Sequence, residues 1–169
     1  MPSDMEKTMN TKTDMISLCI CTFKRAEMLL NLFRKLEELN LSNMLSFHVI
    51  IVDNDPKKSA ENIVNKIKQF SKLKINYFHE PERNISLARN RCIKESQGDF
   101  VAFIDDDEFP DTEWLKQLYI AINKYRVDGI LGPVEPYIDD NVPKWLIKSG
   151  LLKRKAFKTG YIIKKSSDT

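Results

Sequence analysis

The sequence predicts an α/β fold, a helix–sheet–helix sandwich around a mostly parallel central sheet. Three observations predict it. Apolar, β-branched runs of strand length alternate with segments whose apolar residues recur at helical spacing. The runs are near-continuously apolar, as strands covered by helices on both faces must be. Polar side chains collect just after these runs, where the ligand crevice of an open parallel sheet lies.

Taken in order, Ile16 to Cys21 reads as the first strand and Thr22 to Arg25 as the loop at its carboxyl end. Leu29, Leu30, Phe33, Leu36 and Leu39 then line one face of an amphipathic helix. Phe47 to Val52 is the second strand; it ends in Asp53-Asn54-Asp55, and Pro56 blocks its extension. Ile63, Ile67 and Phe70 mark a second helix, and Ile75 to Phe78 a third strand. A third helix starts near Ser86 and carries Leu87, Ala88 and Cys92. Phe100 to Ile104 is a buried fourth strand, entered through a turn at Gln97-Gly98-Asp99. Trp114, Leu115, Leu118, Ala121 and Ile122 mark a fourth helix, and Ile130 with Leu131 suggests a further short strand. There is no internal repeat and no low-complexity segment.

Composition bounds the function. The chain has 169 residues, enough for one domain with a real core, and its 42% hydrophobic and 30% charged residues are ordinary soluble composition. A net charge of +3 is too small to argue for nucleic acid, which is excluded as a partner. No apolar run approaches the roughly 18 residues of a membrane span. Met1 to Asp14 lacks the apolar core of a signal peptide and reads as a disordered tail. Cys19, Cys21 and Cys92 show no paired-cysteine metal pattern; they read as small core residues in a reducing, cytoplasmic compartment. His48 and His79 lie in or beside strands and are not assigned chemistry.

The fourth strand runs into Asp105, Asp106, Asp107 and Glu108 before Pro110 stops it. An isolated acidic triplet is most simply a solvated turn. The apolar strand in front of this one pins the acids at a strand's carboxyl end, where oxygen-only ligands suit Mg²⁺ or Mn²⁺ shared with substrate phosphates. A carboxylate after the second strand suits a base N–H or a ribose hydroxyl. No G-x-G-x-x-G follows the first strand, so phosphate falls to a metal and basic side chains. Together these point to a nucleoside diphosphate carrying a metal.

The ordered set Ile16 to Arg25, Val49 to Asn54, Arg83 to Asn90 and Phe103 to Asp107 resembles the family 2 glycosyltransferases, most of all the branch that builds bacterial exopolysaccharide of the succinoglycan type. The resemblance covers roughly Met15 to Trp145. It implies the GT-A fold, a Rossmann-like α/β/α sandwich. It also implies a metal-dependent, inverting enzyme that moves a sugar from a nucleotide-sugar, often a UDP-sugar, to a polysaccharide or lipid-linked acceptor. By resemblance, Thr22 and Phe23 line the base pocket, Arg25 and Arg89 sit beside the donor, and Asp53 contacts the nucleoside. Asp105 or Asp106 faces the ribose, and Asp107 the metal. The family often has Gly where Asn84 stands; Asn tolerates a left-handed backbone next best.

The family's general base is an acid well beyond the acidic motif. Here Asp139 and Asp140 come early and Asp168 late, so no base is assigned. The expected layout is a tail over 1–14, a nucleotide-sugar-binding domain over 15–135, and the start of an acceptor region, expected to be incomplete in this chain, over 136–169. Lys144, Lys148, Lys153, Arg154, Lys155 and Lys158, interleaved with Trp145, Leu146, Ile147, Leu151, Leu152 and Phe157, pose a choice. They form either an interfacial segment on the inner face of the membrane or, as favoured, a segment packed on the donor domain with solvated lysines. Two other functions are weighed: a non-catalytic or split nucleotide-sugar-binding fragment, and a nucleotidyltransferase or aspartyl phosphatase. The last two are disfavoured because no Gly-rich loop and no D-x-D follows the first strand.

Overall fold

The computed structural model describes residues 13–41, 43, 45–138, 142–152 and 157–162. The chain divides into two compact units, Met1–Lys116 and Gln117–Thr169.

The first unit is built on four parallel strands: β1 (Asp14–Thr22), β2 (Leu45–Asp53), β3 (Ile75–His79) and β4 (Phe100–Phe103), in the order β3-β2-β1-β4. Helices α1 (Ala26–Leu36), α2 (Glu61–Phe70) and α3 (Ile85–Glu95) connect them. The expected α/β sandwich is what forms, and alternation along the strands explains why. Leu18 and Ile20 of β1, with Val49 and Ile51 of β2, pack against Leu29, Leu32, Phe33 and Leu36 of α1 and Val64 and Ile67 of α2. The intervening Cys19, Ile50 and Val52 point the other way, against Ala88 and Cys92 of α3. The central residues of β1 and β2 therefore have a helix to bury against, whichever face they take.

Three expectations are corrected. The first strand begins at Asp14, two residues early, because its ladder with β2 starts at Asp14↔Leu45 and Met15 N–H donates to Asp99 Oδ2 at 3.0 Å. β4 is not fully buried: among the described residues it is an edge strand paired only to β1, and Val101 and Phe103 stay exposed on alternate positions. Ile130 and Leu131 form no strand; they find no ladder among the described residues, and Leu131 is 89% exposed.

At the amino end of the sheet a buried polar group fixes the β1–β4 approach. Ser17 Oγ accepts from the N–H groups of Gln97 and Gly98 at 3.1 and 2.9 Å. Both lone pairs are thereby used, so its own proton goes to His48 Nε2, 3.2 Å away. Gly98 is required here: a Cβ would fall 2.5 Å from Met15 O and 2.6 Å from Ser17 N. The Gly read as a turn signal is thus also a spacer that lets two backbones touch.

Helix α4 (Trp114–Tyr125) leaves the first unit, where Trp114 packs on the core and Leu115 is buried. In the second unit α5 (Lys144–Ser149) ends at Gly150, whose φ of +73° is the left-handed closure glycine favours. Phe157 and Tyr161 stack with ring centroids 4.8 Å apart. Trp145, Ile147 and Leu151 are exposed. Lys153, Arg154 and Lys155 of the basic segment, Asp139, Asp140, Asp168 and most of the tail over 1–14 lie outside the described residues. No helix among the described residues is long and apolar enough to cross a membrane.

Candidate functional site

The strand order reverses at β1, which has β2 on one side and β4 on the other. A crevice opens there at the carboxyl edge, as it does in open parallel sheets. It is a cleft of about 560 Å³. Thr22, Phe23 and Arg25 from the loop after β1, Arg89 from α3, and Asp105, Asp106 and Asp107 from the turn after β4 all line it.

Buried Asp106 ties the cleft floor together. Its Oδ2 accepts from the Thr22 hydroxyl at 2.7 Å, and its Oδ1 from Arg25 Nη1 at 3.1 Å. The same Arg25 nitrogen reaches Asp107 Oδ2 at 2.6 Å. Asp106 first, and then Asp107, hold the Arg25 guanidinium even more firmly protonated than usual. Lys24, between Phe23 and Arg25, has a left-handed φ of +58° and donates its N–H to Ser59 Oγ at 3.2 Å. Sharp reversal at this non-glycine residue is what turns its neighbours into the cleft.

The three acids are not equivalent. Asp106 is 4% exposed and committed to Thr22 and Arg25. The side chains of Asp105 and Asp107 are 59% and 45% exposed, each beside an exposed guanidinium: Arg89 at 3.6 Å and Arg25 at 2.6 Å. Among the described residues no three His, Cys, Asp or Glu side chains converge as a complete ligand set. Two exposed carboxylates on one turn fit a hard divalent ion that completes its shell with water and substrate oxygens, and do not fit an all-protein cage.

Asp53 stands apart. It is fully buried and does not line the cleft. Its Oδ1 accepts from Asp55 N–H at 3.0 Å, and its Oδ2 from Ala60 N–H at 2.8 Å and Tyr77 Oη at 3.0 Å. Burial, and then this bond to Asp53, push the Tyr77 phenol well above its ordinary range. The carboxylate thus folds the loop between β2 and α2.

Several further residues line the cleft without having been assigned a role in it from the sequence. Asn54 Nδ2 donates to the carbonyls of Glu80 and Glu82 at 3.0 and 2.6 Å, drawing the loop after β3 over the end of β2. On that loop the Arg83 guanidinium lies over the Phe23 ring, 4.6 Å from its centroid. Asn84 is extended (φ −152°, ψ 116°), not left-handed; its Oδ1 accepts from Ser86 N–H at 2.9 Å and caps α3. Asn84 and Ile85 line the cleft, so the amino end of an 11-residue helix opens onto it.

Comparison with known proteins adds to this geometry. The family model described as glycosyl transferase family 2 matches residues 17–167. The succinoglycan biosynthesis protein ExoM of Rhizobium meliloti (strain 1021) is 36% identical over 138 residues, 82% of this chain and 44% of that protein. The chain therefore spans less than half the length of this relative. A crystal structure of S. aureus TarS 1-349 in complex with UDP-GlcNAc superposes with a TM-score of 0.57 at 22% identity, covering 71% of this chain and 37% of that one. The mannosyltransferase PcManGT from Pyrobaculum calidifontis, in complex with GDP-Man and Mn²⁺, gives 0.55 at 18% identity, covering 62% and 31%. At such identities the two structures speak for the fold alone, which is of the GT-A type.

Proposed function

We propose, from the premise that the chain belongs to glycosyl transferase family 2, that its cleft holds a nucleotide-sugar donor, a UDP-sugar, for transfer of the sugar to a saccharide or lipid-linked acceptor. One observation carries the reading. Thr22, Phe23, Arg25, Arg89, Asp105, Asp106 and Asp107, drawn from three separate segments, meet in one cleft. The names of the similar proteins, with their UDP-GlcNAc and GDP-Man, agree with a nucleotide-sugar.

The residues divide the work by chemistry. The Phe23 ring, backed by Arg83, offers a flat apolar face for a nucleobase. Arg89 and the open amino end of α3 offer positive potential to a diphosphate. Asp107, with Asp105, would hold Mg²⁺ or Mn²⁺, which when bound neutralises charge on the leaving diphosphate. Asp106 takes no ligand in this reading; it fixes Thr22 and Arg25 in place. Asp53 acts at one remove, by holding the loop that carries Asn54 and Asp55. Inversion would need a base on the acceptor side.

Calorimetric titration with UDP, in Mn²⁺ and in EDTA, tests the proposal. Binding in Mn²⁺ that weakens at least tenfold in EDTA is expected. Equal affinity in both would remove the metal, and no binding of UDP or GDP under either condition would remove the donor site.

A further inference from the structure

The cysteines of the chain gather between β1 and α3. Cys21 Sγ lies 3.8 Å from Cys92 Sγ. Cys19, on the same face of β1, turns its thiol toward Ser17 O at 3.8 Å and Ser96 Oγ at 3.6 Å. All three are free thiols. Their surroundings differ: Cys21 is partly exposed and lines the cleft, whereas Cys92 is fully buried beneath it. The sulfurs of Cys21 and Cys92 need approach by less than about 2 Å to reach a bonding distance of about 2.05 Å.

The pair is also chemically asymmetric. The hydrogen bond from Cys92, opposed by burial and helped by the positive charge of Arg89, holds the Cys21 thiol below its ordinary range. The nearness of the Cys19 and Cys21 thiols, together with burial, pushes the Cys92 thiol up. Within the pair, the sulfur that solvent can reach is therefore also the more acidic one, which is the arrangement of a reactive cysteine with a reserve thiol behind it.

We propose that Cys21 is an oxidation site for small hydroperoxides and that Cys92 resolves it, closing an intrachain disulfide between β1 and α3. The step balances as follows. The Cys21 thiolate attacks the terminal peroxide oxygen, the O–O bond breaks, and the departing hydroxide (an alkoxide, for an alkyl hydroperoxide) takes up a proton and leaves as water (or the alcohol). Cys21 is now a sulfenic acid. The Cys92 sulfur then bonds to the Cys21 sulfur, the S–O bond breaks, and the hydroxyl leaves as a second water with the Cys92 proton. The peroxide is reduced by two electrons, the two thiols are oxidised by two, and a dithiol reductant reverses the change. The proposal rests on the thiols alone and stands whether or not the cleft takes a nucleotide.

The reduced full chain, treated with hydrogen peroxide, alkylated and mapped by mass spectrometry, tests it. Free thiols should fall from three to one. The intact mass should drop by about 2 Da, with a linked peptide joining Cys21 to Cys92 that dithiothreitol removes. Cys19→Ser should oxidise like the parent. In Cys92→Ser the disulfide should vanish and dimedone should trap a sulfenic acid on Cys21. Three thiols surviving the peroxide would overturn the proposal, as would a linked peptide joining Cys19 to Cys92 or a bond found only between two copies. The parent's own map suffices if the Cys92 variant does not fold.

Discussion

The Thr22 hydroxyl donates to Asp106 Oδ2 at 2.7 Å, with both residues buried and 84 positions apart in sequence. This bond fastens the end of β1 to the turn after β4. Thr22→Val keeps the shape and strands a buried carboxylate oxygen, so unfolding free energy should fall by about 1–3 kcal/mol. Thr22→Ser, which retains the donor, should lose less. Urea denaturation reads both, and equal losses would assign the effect to packing instead.

Asp107 should behave oppositely, important for metal and unimportant for the fold. Its partner Arg25 is 49% exposed, so their ion pair contributes little stability. Asp107→Asn should shift unfolding by no more than about 0.5 kcal/mol. It should also erase the difference in UDP affinity between Mn²⁺ and EDTA. A variant that still binds UDP more tightly in Mn²⁺ would move the metal elsewhere.

Asp53→Asn distinguishes an internal loop clamp from a nucleoside contact. Three donors converge on this carboxylate, and an amide must turn its NH₂ toward at least one of them. A loss of about 1–3 kcal/mol in stability is expected, with any loss of UDP binding following from the loosened loop. Tyr77→Phe should cost about 0.5–1.5 kcal/mol on the same grounds. If Asp53→Asn kept parental stability yet lost UDP affinity, the acid would be touching the nucleoside directly.

His48 predicts a pH dependence. It is 3% exposed, and its Nε2 already accepts the only proton Ser17 has to give. Burial, and then nearby Lys74, hold its pKa below the ordinary 6.5. The unfolded chain therefore takes up a proton before the folded one does. Stability from this group is fully present above about pH 6.5 and declines as pH falls, at up to about 1.4 kcal/mol per unit. Unfolding measured at pH 7.5 and 5.5 should show the decline, and His48→Gln should flatten it. An unflattened profile would trace the decline to other groups.

What the sequence disclosed and what it hid divide along a physical line. β1 and β2 are legible because their apolar runs are continuous, and continuity follows from cover on both faces. β4 reads as buried from composition alone, since Val101 and Phe103 look the same whether or not anything lies over them. The acids after β4 announce themselves by crowding like charges. Their division of labour does not, because which of Asp105, Asp106 and Asp107 is buried depends on Thr22 and Arg25, far away in sequence. The bonds of Asn54 and Asn84 were hidden for the same reason: a side chain that bonds a distant or neighbouring backbone group leaves no periodicity. Asn84 fits its place as a helix cap, whereas sequence comparison suggested a backbone reason.

The strand order bears on how the protein is made. β1 leaves the ribosome well before β4, and the edge of β1 that pairs with β4 stays open until β4 follows some 84 residues later. At ordinary synthesis rates of about 5–20 residues per second, that wait is on the order of ten seconds. Throughout it the nascent chain shows an unpaired strand edge of the kind that chaperones shield and other chains invade. The bond from Thr22 to Asp106 cannot shorten the wait, because Asp106 has not yet been translated.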